Sequence, residues 1–279
     1  MATRLHRPRG RYRLPNGMSV YGLSWSDTLN VYRDIFESDC YRRHGITVRD
    51  GDCVLDVGAN TGLFVLFLNT LCRRAQVFAF EPIPAIFEVL TRNVRAHDRL
   101  GTTVINAGLA DHDGEVRFTY YPRFSNASTM YPDQSDERAR MGRAYILDQV
   151  PTLPRPLPSL IGLCPAWLKQ AGAEVIRRYH LRGQPVTCRV QTLSGFLRER
   201  AVQQVDLLKI DAEGSERAIL AGIEEAHWDR IRQLVMEVHD GASETQRIQK
   251  QLEGRGFATA VGHNPALPSL SIVYAVRPR

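Results

Sequence analysis

The sequence predicts an α/β fold built on a mainly parallel sheet, and three observations carry that prediction. Short β-rich apolar runs bounded by turn residues alternate with helical patterns from residue 53 onward. In "CVLDVGANTGLFVLFL", Cys53 to Leu68, an apolar run stops at Asp56 and crosses Gly58, Asn60 and Gly62. It then becomes apolar again at a different period, which reads as strand, tight turn, helix. Acidic residues close three successive strands, at Asp56, Glu81 and Asp111.

Taken in order, residues 1–50 read as an N-terminal extension with one helix. In "SDTLNVYRDIFESDCY" the residues Leu29, Tyr32, Ile35 and Phe36 stand at helical spacing, with Ser26 or Asp27 as candidate cap. Residues 51–279 read as one domain. "CVLDV" is a strand, "TGLFVLFLNTLCRR" a helix and "AQVFAFEP" the next strand. "AIFEVLTRNVRAH" is a helix with Ile86, Leu90 and Val94 four apart, "TTVINAGLAD" a third strand with a loop, and "EVRFTYY" a fourth strand. Further on, "VDLLKIDAEG", "QLVMEVHD", "FATAV" and "SIVYAV" are strands, with "SERAILAGI" and "TQRIQKQLEGRG" as helices between them. The segment from about 123 to 187 breaks this rhythm with "VPTLPRPLPSLIGLCP" and one helical piece, "AWLKQAGAEVIRRY". It reads as an insertion over the strand ends, a lid or substrate cap; a solvent-exposed elaboration or a homodimer contact are the alternatives.

The chain has 279 residues, of which 43% are hydrophobic and 24% charged, an ordinary globular composition. No apolar run reaches the roughly 18 residues of a membrane span, and "MATRLHRPRGRYRLPNG" is basic without an apolar signal core, so a cytoplasmic protein is expected. The five cysteines, Cys40, Cys53, Cys72, Cys164 and Cys188, show no C-x-x-C pair and no metal-ligand spacing. The net charge of +6 admits nucleic acid, an acyl-carrier protein or a phosphorylated substrate as partner. No basic run is interleaved with aromatics as a nucleic-acid stacking surface would be, which favours arginine as solubilising charge.

The turn after the first parallel strand is D-x-G-x-N-x-G, not the G-x-G-x-x-G of a dinucleotide site. Its glycines let the backbone take positive φ and let a ligand approach, while the leading acid suits a cationic ligand better than a pyrophosphate. Glu81 in "FAFEP" can accept both hydroxyls of a ribose, and Asp111 in "NAGLAD" can accept from an adenine amino group. Three acids after three strands fit a nucleoside with a cationic amino-acid tail, and S-adenosylmethionine is that ligand. The predicted cofactor residues are Asp56, Gly58, Asn60, Gly62, Glu81, Asp111 and Asp211. Each acid taken alone could instead cap a helix or end a strand.

At these residues the chain resembles the FkbM family of S-adenosylmethionine-dependent methyltransferases. "DVGANTGLF", "FAFEP", "LADHDGEVRF" and "DLLKIDAEGSERAILAGI" carry the resemblance, which spans about residues 30 to 275. It implies a Rossmann-like class I methyltransferase fold with a seven-stranded, mainly parallel sheet, and O-methylation of hydroxyls on secondary metabolites or sugars. "IFESDCYRRHGITVRDGDCVLDVGANTGLF" is also similar to FkbM-type enzymes linked to peptide and polyketide assembly. "TLSGFL" departs from the family's more usual "TLDSFL", and the insertion at 131–187 puts transfer of a substrate from other members in doubt.

Methyl transfer from a sulfonium is an in-line displacement that needs donor and acceptor held together and a proton taken from a hydroxyl acceptor. "LLKIDAEG" offers Lys209, Asp211 and Glu213, and "VMEVHD" offers Glu237 and His239, alternate residues sharing a face while the chain stays extended. If these strands are neighbours, Asp211, Glu213 and His239 converge beside the methyl group. His239 is the expected general base. Asp211 is expected near the methionine amino group or orienting the base, and Glu213 and Lys209 shaping the acceptor site, with Lys209 neutralising the acids. A salt-bridge network of Lys209 with Glu213 or Glu237 that only joins two strands is the alternative. Two acids and a histidine could also hold Mg²⁺ or another divalent ion, but no metal site is assigned. Asn126, Ser128 and Thr129 in "RFSNASTMYP" could bond cofactor or acceptor, or build turns. His44, His97, His112 and His227 are expected at the surface.

The leading reading is an S-adenosylmethionine-dependent O-methyltransferase of a small-molecule hydroxyl, free or tethered to a carrier protein, with no membrane partner. An RNA methyltransferase and a non-catalytic S-adenosylmethionine-binding protein are the alternatives; no N-P-P-Y-type base-methylation motif supports the former.

Overall fold

The computed structural model describes residues 10–131, 143, 146, 147, 150, 155–239, 241–264 and 267–278. A hairpin of β1 (Gly10–Arg13) and β2 (Ser19–Gly22) leads into α1 (Trp25–Tyr32), which a π-helical turn extends to Glu37. Ser24, not Ser26 or Asp27, caps α1: its hydroxyl accepts from the Asp27 amide. Asp27 is instead buried, and accepts from the Ser125 amide.

The main sheet begins with β3 (Cys53–Val57), followed by α2 (Leu63–Leu71), β4 (Gln76–Phe80), α3 (Pro84–His97) and β5 (Thr103–Ile105). After the excursion below come α6 (Leu193–Glu199), β9 (Leu207–Ile210), α7 (Glu216–Ala221), α8 (Glu225–Trp228), β10 (Gln233–Val238), α9 (Gly241–Glu253), β11 (Ala258–Asn264) and β12 (Leu267–Val276). Seven strands lie in the order β11-β12-β10-β9-β3-β4-β5. β12 runs antiparallel to both neighbours, and the rest are parallel. The chain leaves β3 toward β4 and β5 and returns on its other side through β9 and β10. The strand order therefore reverses between β3 and β9, where such sheets bind ligands at the strand carboxyl ends.

Alternation along the strands divides the core in two. Leu55, Val57, Phe78, Phe80, Leu208, Ile210 and Met236 face one side, where Phe196, Leu220, Trp228, Ile248 and Leu252 of α6–α9 cover them. The Phe196 ring stands edge-on to Phe78 and Phe80, at centroid distances of 5.0 and 4.8 Å. Val54, Val77, Ala79, Leu207 and Val235 face the other side, under α2 and residues Tyr32, Ile35, Cys40, Tyr41 and Ile46. Residues 10–50 are thus part of the core rather than an appendage.

The excursion builds a second sheet. β6 (Gly108–Leu109), β8 (Gln184–Gln191) and β7 (Gly114–Tyr120) lie in that order, β7 and β8 antiparallel over their whole lengths. "EVRFTYY" is a strand, but in this second sheet, because β8 offers it a full antiparallel partner. The segment that joins β7 to β8 runs from Tyr121 to Gly183. Its described helices are α4 (Leu157–Leu163) and α5 (Ala166–His180). Among the described residues no helix is long and apolar enough to cross a membrane.

Candidate active site

The β3–α2 turn is set by backbone sterics. Gly58 has φ +76°, and a Cβ there would lie 1.8 Å from the Asp211 carbonyl oxygen, so only glycine lets the ends of β3 and β9 meet this closely. Asn60 also takes positive φ, and its amide donates to Glu81 Oε2 at 3.1 Å. Gly62, at φ +88°, opens α2 beneath Leu90. Glu81 accepts a second amide, from Ile83, at 2.9 Å. The carboxyl is only 5% exposed, and burial pushes its pKa up to about 7.

Asp56 does not reach this cleft. Its side chain has no exposed surface, and Lys209, its register partner on β9, places Nζ 2.9 Å from Oδ1. Burial would lower the Lys209 pKa, but Asp56 and Asp211 outweigh it and hold the ammonium charged. Asp56, expected as a cofactor residue, therefore meets Lys209 and not open solvent. Lys209, itself 3% exposed, also lies 3.7 Å from Asp211 Oδ2.

β9 and β10 are neighbours, so Asp211, Glu237 and His239 come together at their ends, one ligand-type atom of each within 4.8 Å of the others. Glu213 joins them by another route than extended alternation. β9 ends at Ile210, and Glu213 has φ +51°, turning its carboxylate toward His239 Nε2 at 3.4 Å. Thr129 donates its hydroxyl to the Glu213 carbonyl, tying the segment after β7 to this turn. Asn126 is drawn in too, accepting from Asn60 Nδ2 at 3.1 Å, while Ser128 only closes a turn by accepting from the Tyr121 amide. Burial would lower the His239 pKa, but Glu213 and Glu216 outweigh it and hold the ring well above its ordinary value. Burial and the nearby Asp211 push Glu237 up to about 8.

Two residues of the site were not legible in the sequence. The Tyr41 hydroxyl donates to Glu237 Oε1 at 2.8 Å and lies 3.1 Å from Asp211 Oδ2, and Glu216 Oε1 meets His239 Nδ1 at 2.8 Å. Tyr41 arrives from a stretch without periodicity, and Glu216 looks like an ordinary first-turn acid of α7. Asp111 stands apart, its side chain 56% exposed and its carboxylate 2.7 Å from His112 Nδ1. His44 and His112 are exposed, whereas His227 is buried, against expectation, because Ser194 Oγ meets its Nδ1 at 2.8 Å.

A glycine-shaped turn, a buried acid after β4 and acids at the tips of β9 and β10, all at a strand-order reversal, define a class I S-adenosylmethionine-dependent methyltransferase. The comparisons agree. The family model described as "Methyltransferase FkbM domain" matches residues 56–258, and the chain belongs to that family. It is 34% identical to the 31-O-demethyl-FK506 methyltransferase FkbM of Streptomyces tacrolimicus, over 93% of each chain. It is 29% identical to methyltransferase sdnD of Sordaria araneosa, over 86% of each. It is also 34% identical to part of the AMB antimetabolite synthetase AmbE of Pseudomonas aeruginosa, across 95% of this chain but 12% of that one. Among solved structures, the FkbM methyltransferase of Methylobacillus flagellatus shares the fold, with a TM-score of 0.52 and 12% identity, across 84% of this chain and 46% of that one.

Proposed function

We propose that this methyltransferase transfers the methyl group of S-adenosylmethionine to a hydroxyl of a small-molecule secondary metabolite. The observation that carries the reading is the meeting of Asp211, Glu213, Glu237 and His239 at adjoining strand ends, beside the Gly58–Asn60 turn. The relative named for a 31-O-demethyl substrate supports a hydroxyl acceptor.

The residues present suit the cofactor. Glu81 is a buried acid with lone pairs left for ribose hydroxyls, and Asp211 opens toward the cleft where an ammonium would meet it. Asp111, once turned from His112, accepts from an adenine amino group. Bound there, S-adenosylmethionine would supply an electrophilic methyl group, with the neutral thioether as its leaving group. The chain's own part is to hold the acceptor oxygen and take its proton. Glu216 fixes the imidazole of His239 on Nδ1 and turns Nε2 toward Glu213, so the acceptor's proton passes to Glu213 while the charged ring of His239 steadies that carboxylate.

The test is calorimetry plus turnover. Wild type is expected to bind S-adenosylmethionine in the micromolar range, and His239→Ala to lose turnover by about 10²–10⁴-fold with cofactor affinity nearly kept. Absence of cofactor binding, or full activity in His239→Ala, would defeat the respective half of the reading.

A further inference from the structure

We propose that Asp211, Glu237 and His239 form a binding site for a divalent cation. Their donor atoms lie within 4.8 Å of one another. Three donors spread evenly around one ion at about 2.0–2.4 Å stand roughly 3.5–4.2 Å apart, inside that bound. Neither Glu237 nor Asp211 is paired with the ring, and an ion at His239 Nε2 would take the place of Glu213, 3.4 Å away, while Nδ1 stays with Glu216.

Three independent features point the same way. Glu237 is 6% exposed, and its Oε1 accepts from the Tyr41 hydroxyl. A buried carboxylate in that state normally pairs with a cation or coordinates one. Next, Glu216, with a side chain only 3% exposed, meets His239 Nδ1 at 2.8 Å. A carboxylate on one ring nitrogen fixes the tautomer of a metal-binding imidazole and leaves the other nitrogen's lone pair for the ion. Finally, Lys209 is committed to Asp56 at 2.9 Å and stands farther from Asp211, at 3.7 Å.

Two carboxylates and one imidazole, with positions left for water or acceptor, suit an ion of intermediate hardness, Mn²⁺ above Mg²⁺. The role of the ion, unlike its binding, rests on the methyl-transfer reading. It would hold the acceptor oxygen and lower the pKa of its hydroxyl. Glu213, displaced from His239 Nε2, would take the proton.

Binding is tested without S-adenosylmethionine. The full-length chain is stripped with EDTA, dialysed and titrated with Mn²⁺, and free Mn²⁺ is read by electron paramagnetic resonance. One bound Mn²⁺ per chain is expected. Glu237→Gln should weaken it by more than about tenfold, and Glu216→Gln by about 10–100-fold through the ring it orients. Glu88→Gln, on the exposed face of α3, should leave it unchanged. Circular dichroism checks that each variant folds. If Glu237→Gln does not fold, Asp211→Asn and the Mn²⁺-dependent rise in wild-type thermal unfolding temperature decide instead. No bound Mn²⁺ at millimolar concentration, or binding indifferent to these substitutions, overturns the proposal and leaves a network that only joins two strands. Calorimetry with S-adenosylmethionine on the same stripped sample separates the two readings: Mn²⁺ bound without cofactor affinity would sink methyl transfer and keep the ion site.

Discussion

The strand-end site and the β7–β8 insertion are built on opposite terms. At the strand ends, charged groups are buried, and register fixes each one. Asp56 faces Lys209 across β3 and β9, and Glu237 and His239 follow Val235 along the same face of β10. In the insertion, apolar side chains are left out in solvent: Leu163 is 84%, Trp167 71%, Val175 68% and Tyr179 59% exposed. Its ion pairs are surface ones, such as Arg178 with Glu174, which contribute little to stability. The contrast teaches that strand register sets the charged pairs at the strand ends, while no sheet contact sets the apolar face of the insertion.

The sharpest way to break this comparison is to remove the buried cation. Lys209→Met leaves Asp56 buried without a partner, and a loss of about 3–5 kcal/mol in urea unfolding is expected. The Asp56→Asn, Lys209→Met double variant should recover much of it. A double variant no more stable than the single one would show that the pair does not govern this region.

The next effect is on pH. Glu81 has a folded pKa of about 7, above its ordinary 4.5, so its fold-stabilising share is complete below about 4.5 and is lost as pH rises through 7. Cofactor binding runs the other way, because ribose hydroxyls donate best to the ionised carboxylate. The dissociation constant for S-adenosylmethionine at pH 6 is expected to be about tenfold above that at pH 8, one proton per pH unit below the pKa. Glu81→Gln should bind weakly and without this slope; a slope that persists would place the titrating group elsewhere.

The smallest effect on stability belongs to the insertion. Trp167→Ser and Tyr179→Ser should each shift unfolding by less than about 0.5 kcal/mol, as exposed sites do. If the face meets the acceptor, KM for the acceptor rises while cofactor affinity stays. A loss of several kcal/mol would mean that the face is packed in solution and the contrast with the strand ends is false.

The sequence alone determined the alternation of strand and helix, because both periods are local properties of the chain and the buried parallel strands are continuous apolar runs. It also determined the turn, since only glycine relieves the clash at Gly58, and it marked Glu81, Asp211, Glu213 and His239 as acids and base at strand ends. Tertiary structure alone decided which of these groups share a space. It put "EVRFTYY" into a second sheet by offering β8 as partner, withdrew Asp56 from solvent by setting Lys209 opposite it, and buried His227 against Ser194. It brought Tyr41 across 170 residues to Asp211 and 196 to Glu237. Periodicity reports which face of its own element a residue occupies. Partners across strands depend on register and strand order, which long-range packing sets.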